Sequence, residues 1–199
     1  MTRKISIAAL AAAVAASLPS AAWAHAGHEH AAGFVSGFAH PFGGLDHLLA
    51  MVLLGVWAGQ AGGRATWALP LAFVTAMVGA GILGMAGTGL PAVELGIAGS
   101  VVALGVLLAL QARLPLAGAV AVTAVFAAFH GHAHGMEMPG AANPLLYGAG
   151  FAIATALLHG AGIAIAQGLR VASVPAGRIA ARGLGVLGAA CGVAIAAIG

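Results

Sequence analysis

Six apolar stretches dominate the chain, at about 44–61, 66–86, 92–112, 115–133, 145–168 and 182–198. Each is close to the roughly 20 residues that a helix needs to cross a bilayer. Turn-forming residues separate them: Gly62-Gly63, the segment from Gly87 to Pro91, Arg113-Leu114-Pro115, the segment from Pro139 to Pro144, and Pro175-Ala-Gly177. The third and fourth stretches are divided by the shortest break. The pattern predicts an all-α membrane protein with a bundle of six transmembrane helices.

An earlier apolar run is of a different kind. Arg3 and Lys4 precede it, Ile5 to Leu18 form it, Pro19 and Ser20 break it, and Ala22-Trp23-Ala24 follows as a small-x-small cleavage site. These parts in this order make a secretory signal peptide, and the run is too short to span. The chain is therefore expected to divide into a signal peptide at 1–24, a His-containing outer segment at 25–43 leading into the first span, and the six-helix domain at 44–199. The mature protein would begin at His25.

Arginine positions set the expected orientation. Arg64 follows the first stretch, Arg113 the third, and Arg170, Arg178 and Arg182 lie between the fifth and sixth, whereas the other two connections carry none. Lys and Arg collect on the cytoplasmic side. The mature N-terminus then lies outside, as a signal peptide also requires, and both termini face the periplasm of a bacterial inner membrane. Small residues at Gly55-x-x-x-Gly59 and Gly188-x-x-x-Gly192 have the spacing that lets helices approach closely.

Composition narrows the function. The 199 residues are 62% hydrophobic and 6% charged, with mean hydropathy +1.08, which excludes a water-soluble enzyme and a disordered tail. A lone Cys191 excludes an intrachain disulfide framework and cysteine-based metal sites. The net charge is only +3 and the Arg residues are scattered, so no basic surface for nucleic acid is predicted. Against so few charges, nine His stand out.

Ionisable groups within a membrane are expensive and mark interior sites or paths. His40, Asp46 and His47 bracket the outer start of the first span, and His130, His132, His134 and Glu137 lie at the outer end of the fourth. His159 lies in the middle of the fifth span, and Glu94 begins the third. Within His40-Pro-Phe-Gly-Gly-Leu-Asp46-His47, the glycines permit an irregular, half-inserted approach to the helix. His47 and Met51 share a helical face, and Asp46 either orients an imidazole or ligates directly. On a helix, His130, His134 and Glu137 fall within about 60° of one another, while His132 lies at about 200°. Two imidazoles and a carboxylate on one face are the makings of a divalent transition-metal site, with Met136 and Met138 as nearby sulfur. His28, Glu29 and His30 form a second, terminal group that could capture metal. Donors without thiolate favour nickel, cobalt, copper or zinc over calcium or magnesium.

At these residues the chain resembles the HupE/UreJ family of nickel/cobalt permeases. His40-Pro-Phe-Gly-Gly-Leu-Asp46-His47 resembles the family's first signature, and Phe129-His130-Gly-x-Ala-His134-Gly-x-Glu137-x-Pro139 its second. The signal peptide, six later spans and His159 in the fifth also match, so the resemblance covers essentially the whole chain. The His-x4-Asp-His motif of other nickel permeases is only an analogy, because the spacing here is His-x5-Asp-His. The resemblance implies import of Ni²⁺ or Co²⁺ as transported substrate, with no permanently bound cofactor, for hydrogenase, urease or cobalamin assembly. It also implies handover to cytoplasmic metallochaperones of hydrogenase or urease. His40, Asp46, His47, His130, His134, Glu137 and His159 would carry the metal, and His132 falls at a position the family leaves variable.

Two other functions compete. An intramembrane serine protease would need a Ser–His pair, for which Ser100 and His159 are the candidates, but a Gly-x-Ser-x-Gly context and a His-Glu-x-x-His zinc motif are both missing. A haem-binding electron carrier would need paired His on facing helices, and the sequence supplies no such ladder.

Overall fold

The structure, a computed structural model, describes residues 33–138, 140, 143–171 and 174–198. The expected signal peptide at 1–24 and the His28, Glu29, His30 group lie outside the described residues. A short helix α1, Phe34–Ala39, runs into a 3₁₀ turn at His40–Phe42. Six longer helices follow: α2 Leu45–Ala61, α3 Ala65–Met85, α4 Val93–Ala109, α5 Leu116–Glu137, α6 Pro144–Val171 and α7 Val174–Ile198. No strand occurs among the described residues.

Each apolar stretch coincides with one helix, but their lengths differ from expectation. Ala65–Met85, Leu116–Glu137, Pro144–Arg170 and Pro175–Ile198 are long and apolar enough to cross a membrane. A fifth candidate is the bent element formed by Phe34–Phe42 and Leu45–Ala61 together. α4 has 17 residues. At about 1.5 Å per residue it is roughly 26 Å long, short of a hydrocarbon core of about 30 Å.

Three boundaries move for identifiable reasons. The last helix begins at Val174 rather than near 182, because Pro175 sits in its first turn, where a missing N–H costs nothing. The stretch expected as an inner loop is thus helical, and Arg178 and Arg182 project from the start of α7. α6 begins at Pro144, and the Asn143 side chain accepts from the N–H groups of Leu145 and Leu146 at 3.0 and 3.1 Å. α5 continues past 133 to Glu137, which makes the whole second signature up to that residue helical.

Glycines set the packing. A Cβ on Gly131 would overlap the Met77 carbonyl and one on Gly135 the Gly81 carbonyl, so the backbones of α5 and α3 touch. Gly55 lies against the His159 carbonyl and Gly162 against that of Val52, joining α2 to α6. Gly105 and Gly185 join α4 to α7 in the same way. The two small-residue pairs read from the sequence therefore serve packing within the chain: Gly55 and Gly59 meet α6, while Gly188 and Gly192 meet Leu53 and Val102. α2 is central, and Ala50 to Gly59 are buried except Val52. Leu71, Ile82, Leu95, Leu157 and Val193 lie exposed on the outside. Apolar exposure on this scale is what a lipid-facing surface carries.

Candidate metal centre

The first signature is positioned by a break in the helix. The arm Phe34–Phe42 and the helix Leu45–Ala61 are bent by 81° at Gly43-Gly44. On a straight helix His40 and His47 would stand about 10.5 Å apart along the axis. The bend instead turns both rings toward α5. Gly44 is needed for this: a Cβ there would lie 2.6 Å from Asp46 Oδ1 and 2.9 Å from His47 Nδ1.

The second signature is positioned by the α3–α5 contact. With Gly131 and Gly135 seated on α3, His130 and His134 face α2 and the bent element. The His47 ring lies 4.9 Å from that of His130 and 4.2 Å from that of His134. His40 lies 4.7 Å from His134. His132 points away, and its Nε2 donates to the Thr88 carbonyl at 2.5 Å in the turn after α3. The helical-wheel expectation for this residue agrees with its placement.

Six of the seven expected residues thus converge: His40, His134 and Glu137 form an outer donor set, and His47, His130 and again His134 an inner one, with Asp46 behind His47. In the outer set, Glu137 Oε2 lies 3.7 Å from His40 Nε2 and 3.9 Å from His134 Nδ1. One ligand atom from each of the three residues lies within 4.8 Å of the others. Ligands bound at about 2.1 Å to a common ion stand roughly 3.0 Å apart when cis and 4.2 Å when trans. The outer set is therefore almost closed on an ion-sized space. Glu137 is 55% exposed and His134 only 5%, so the set spans from water into the bundle.

In the inner set, hydrogen bonding fixes which nitrogen is free. Asp46 Oδ1 accepts from the His47 backbone N–H at 2.9 Å and lies 2.8 Å from Nδ1. A carboxylate only accepts, so Nδ1 carries the proton and Nε2 the lone pair. Of the two roles read for Asp46, orientation of His47 is the one its geometry serves. Ser100 Oγ donates to the Ile97 carbonyl at 2.7 Å and lies 2.9 Å from His130 Nε2. With its one proton committed to the carbonyl, the serine accepts from His130 Nε2–H, and Nδ1 keeps the lone pair. His47 Nε2, His130 Nδ1 and both nitrogens of His134 are buried without a partner. Orphaned buried nitrogens are costly unless something binds them.

His159 does not join the cluster. It is 1% exposed, both its nitrogens lack partners, and one aromatic ring separates it from the others. Phe73 lies 5.8 Å from His130 and 5.1 Å from His159. Close by, Thr155 Oγ1 approaches Met77 Sδ at 3.8 Å. Met136, expected as nearby sulfur, is 64% exposed on the opposite face and takes no part. Met51 is wholly buried in the apolar core. Glu94 is exposed at the start of α4, apart from the cluster.

Ser100, paired with His159 only as a candidate for the competing protease reading, has His130 as its partner. As a lone hydroxyl in an apolar helix it was visible, but its partner depends on how α4 is rotated against α5. Tyr147 and Phe151 wall the outer set, with Phe151 4.3 Å from His134 and Tyr147 5.9 Å from His40.

Comparison with known proteins identifies the family. The chain is 50% identical over 141 residues to Protein HupE of Rhizobium leguminosarum bv. viciae, an alignment covering 71% of this chain and 73% of that protein. No solved structure matches it. The HupE / UreJ protein family matches residues 12–195. Both signatures and every helix that shapes the cluster fall inside that match, and the chain belongs to the HupE/UreJ family.

Proposed function

We propose that this protein is a secondary permease that imports divalent nickel or cobalt across the bacterial cytoplasmic membrane. The metal would serve hydrogenase, urease or cobalamin assembly. The observation that carries the reading is the convergence of His40, Asp46, His47, His130, His134 and Glu137 from two distant segments, with buried lone pairs that no protein group satisfies. In this reading six spans cross the membrane, the signal peptide is removed, and both termini lie in the periplasm. The cluster then opens outward, and metal leaves at the Arg-rich end toward cytoplasmic metallochaperones.

Electrostatics support a dication as cargo. Neutral imidazoles cannot offset the cost of bringing a double positive charge into low dielectric. Asp46 and Glu137 supply two negative charges within the cluster, which balance one divalent ion. Glu137, reaching water, would meet the hydrated ion first. His40 and His134 replace part of its water shell, His47 and His130 take it deeper, and His159 receives it beyond Phe73. Nitrogen and oxygen donors without thiolate suit Ni²⁺ and Co²⁺.

The 2.9 Å Ser100–His130 contact is what a serine hydrolase would need, but the surroundings oppose that reading. Ser100 is fully buried within a helix and already bonded to Ile97, and no carboxylate orients His130 Nδ1. Backbone N–H groups of a continuous helix are occupied and cannot form an oxyanion hole. A haem would need two imidazoles facing each other across a planar slot. Here the rings pack edge to face on one another.

The test is metal accumulation by cells lacking other nickel and cobalt importers. His47→Ala, His130→Ala and Glu137→Ala should each reduce uptake of Ni²⁺ or Co²⁺ severely at matched membrane abundance. Parental uptake by the His130 and Glu137 variants would overturn the shared-site reading.

A further inference from the structure

At the opposite end of the bundle from the His cluster lies a cavity of about 290 Å³. It opens between the last turns of α2 and α6, the segment after α4 and the start of α7. Gln60, Gln111, Arg113, Arg170 and Arg178 supply its polar lining, and no carboxylate lines it. The chain has only four acidic residues. Asp46, Glu94 and Glu137 belong to the other end, and Glu29 lies outside the described residues. Among the described residues, every close ion pair involves a His, and none involves an Arg.

Helix ends explain part of this arrangement. The carbonyl ends of α2 and α6 are a favourable place for Arg170, whose guanidinium lies 3.5 Å from where a Gly62 Cβ would stand. Arg178 is on the wrong end for this effect. It sits near the start of α7, where backbone N–H groups already make the potential positive and a further cation is disfavoured. An anion in the cavity would relieve that repulsion. It would also bridge Arg170 of the α2–α6 pair to Arg113 and Arg178 of the α4–α7 pair.

We propose that this cavity is a binding site for a phosphate group. Arg binds phosphate by forked, charge-assisted hydrogen bonds, and the two Gln amides add neutral donors. The volume is at the small end of ligand pockets, roughly 300 Å³, which suits a headgroup rather than a nucleotide. Its place at helix ends, where basic pockets meet lipid headgroups, favours an acidic phospholipid as the source over free phosphate. A bound phosphate would hold the two helix pairs together and neutralise an Arg-lined mouth that otherwise repels a departing dication. The binding itself is independent of the permease reading; only the effect on metal release rests on it.

The experiment uses purified full-length protein without added metal. Retention of phosphatidylglycerol against phosphatidylcholine is read by native mass spectrometry, and thermal stabilisation by inorganic phosphate is read in parallel. Arg170→Gln with Arg178→Gln is compared with Arg64→Gln plus Arg182→Gln, which removes two charges from the same end outside the cavity. Arg170→Lys with Arg178→Lys controls for folding. The cavity pair should weaken phosphatidylglycerol retention roughly tenfold, about 1.4 kcal/mol. The outer pair should change it by less than about twofold, and the Lys pair should fall between. Saturable stabilisation by inorganic phosphate that only the cavity pair abolishes, without lipid selectivity, would support the site and assign it to the free ion. Equal behaviour of the two Gln pairs toward both probes would overturn it. Because no metal is present, that failure is distinct from failed uptake in the His variants.

Discussion

Replacing Ser100 by alanine separates a positioning role from a structural one. In the parent, Ser100 Oγ holds Nε2–H of His130 at 2.9 Å, and both residues are fully buried. In Ser100→Ala, the ring has two choices. It can keep Nε2–H unsatisfied in a dry site, at about 1–3 kcal/mol. Alternatively, it can move the proton to Nδ1, which removes the lone pair aimed at the donor cluster. In the metal-free protein a proton on Nδ1 faces the free lone pair of His47, whose ring lies 4.9 Å away, so the second route lowers the cost there; a bound metal forbids it, and the penalty falls on the metal-bound state. Metal affinity should drop by roughly 10–100-fold, the usual effect of losing a group behind a ligating imidazole. The assay is initial uptake of radioactive nickel over at least two decades of concentration, normalised to protein in the membrane. The half-saturating concentration should rise while the rate at saturating metal changes far less. Ser100→Ala combined with His130→Ala should be no worse than His130→Ala alone, because Ser100 acts only through that ring. An unchanged half-saturating concentration in Ser100→Ala, or full additivity in the double variant, would refute the reasoning.

Other substitutions and conditions give further checks. His132→Ala removes one hydrogen bond to the Thr88 carbonyl and no donor, so uptake should stay within about twofold while the melting temperature of purified protein falls slightly, by about 1 kcal/mol of stability. Gly131→Ala drives a methyl group into the Met77 carbonyl, and separating α5 from α3 should cost about 1–3 kcal/mol, seen as less folded protein in detergent and weaker uptake at matched abundance. Protons and metal compete for the same imidazole lone pairs, so the half-saturating metal concentration should rise as pH falls, and uptake at scarce metal should weaken before uptake at saturating metal. A half-saturating concentration that stays constant over the whole pH range in which the protein remains folded would argue against imidazole capture.

What could be read from the sequence was whatever depends on local periodicity. Six apolar stretches predicted six helices, and the spacing of His130, His134 and Glu137 predicted one shared face with His132 turned away. Pro175 misled because proline breaks a helix in its interior and is welcome in its first turn. Tertiary relations were out of reach. The 81° bend depends on how the arm carrying His40 docks on α6, where Gly37 and Gly150 permit contact with Tyr147 and Phe34. The pairing of Ser100 with His130 depends on the rotation of α4. The separation of His159 from the cluster depends on Phe73 reaching in from α3, and nothing in the spacing of His residues signals an intervening ring.

His134 stands within 5 Å of both His40 and His47, so it belongs to both donor sets. A neutral imidazole has a single lone pair and can bind only one ion at a time. The outer and inner sets therefore cannot both be complete, and in the proposed permease an ion moving inward would take His134 with it. Outer capture would wait until that ring is returned. Occupancy would be exclusive rather than queued, with a single ion as the unit of transport. The dependence of uptake rate on nickel concentration should then follow a simple hyperbola, without the sigmoid that two cooperating ions would impose.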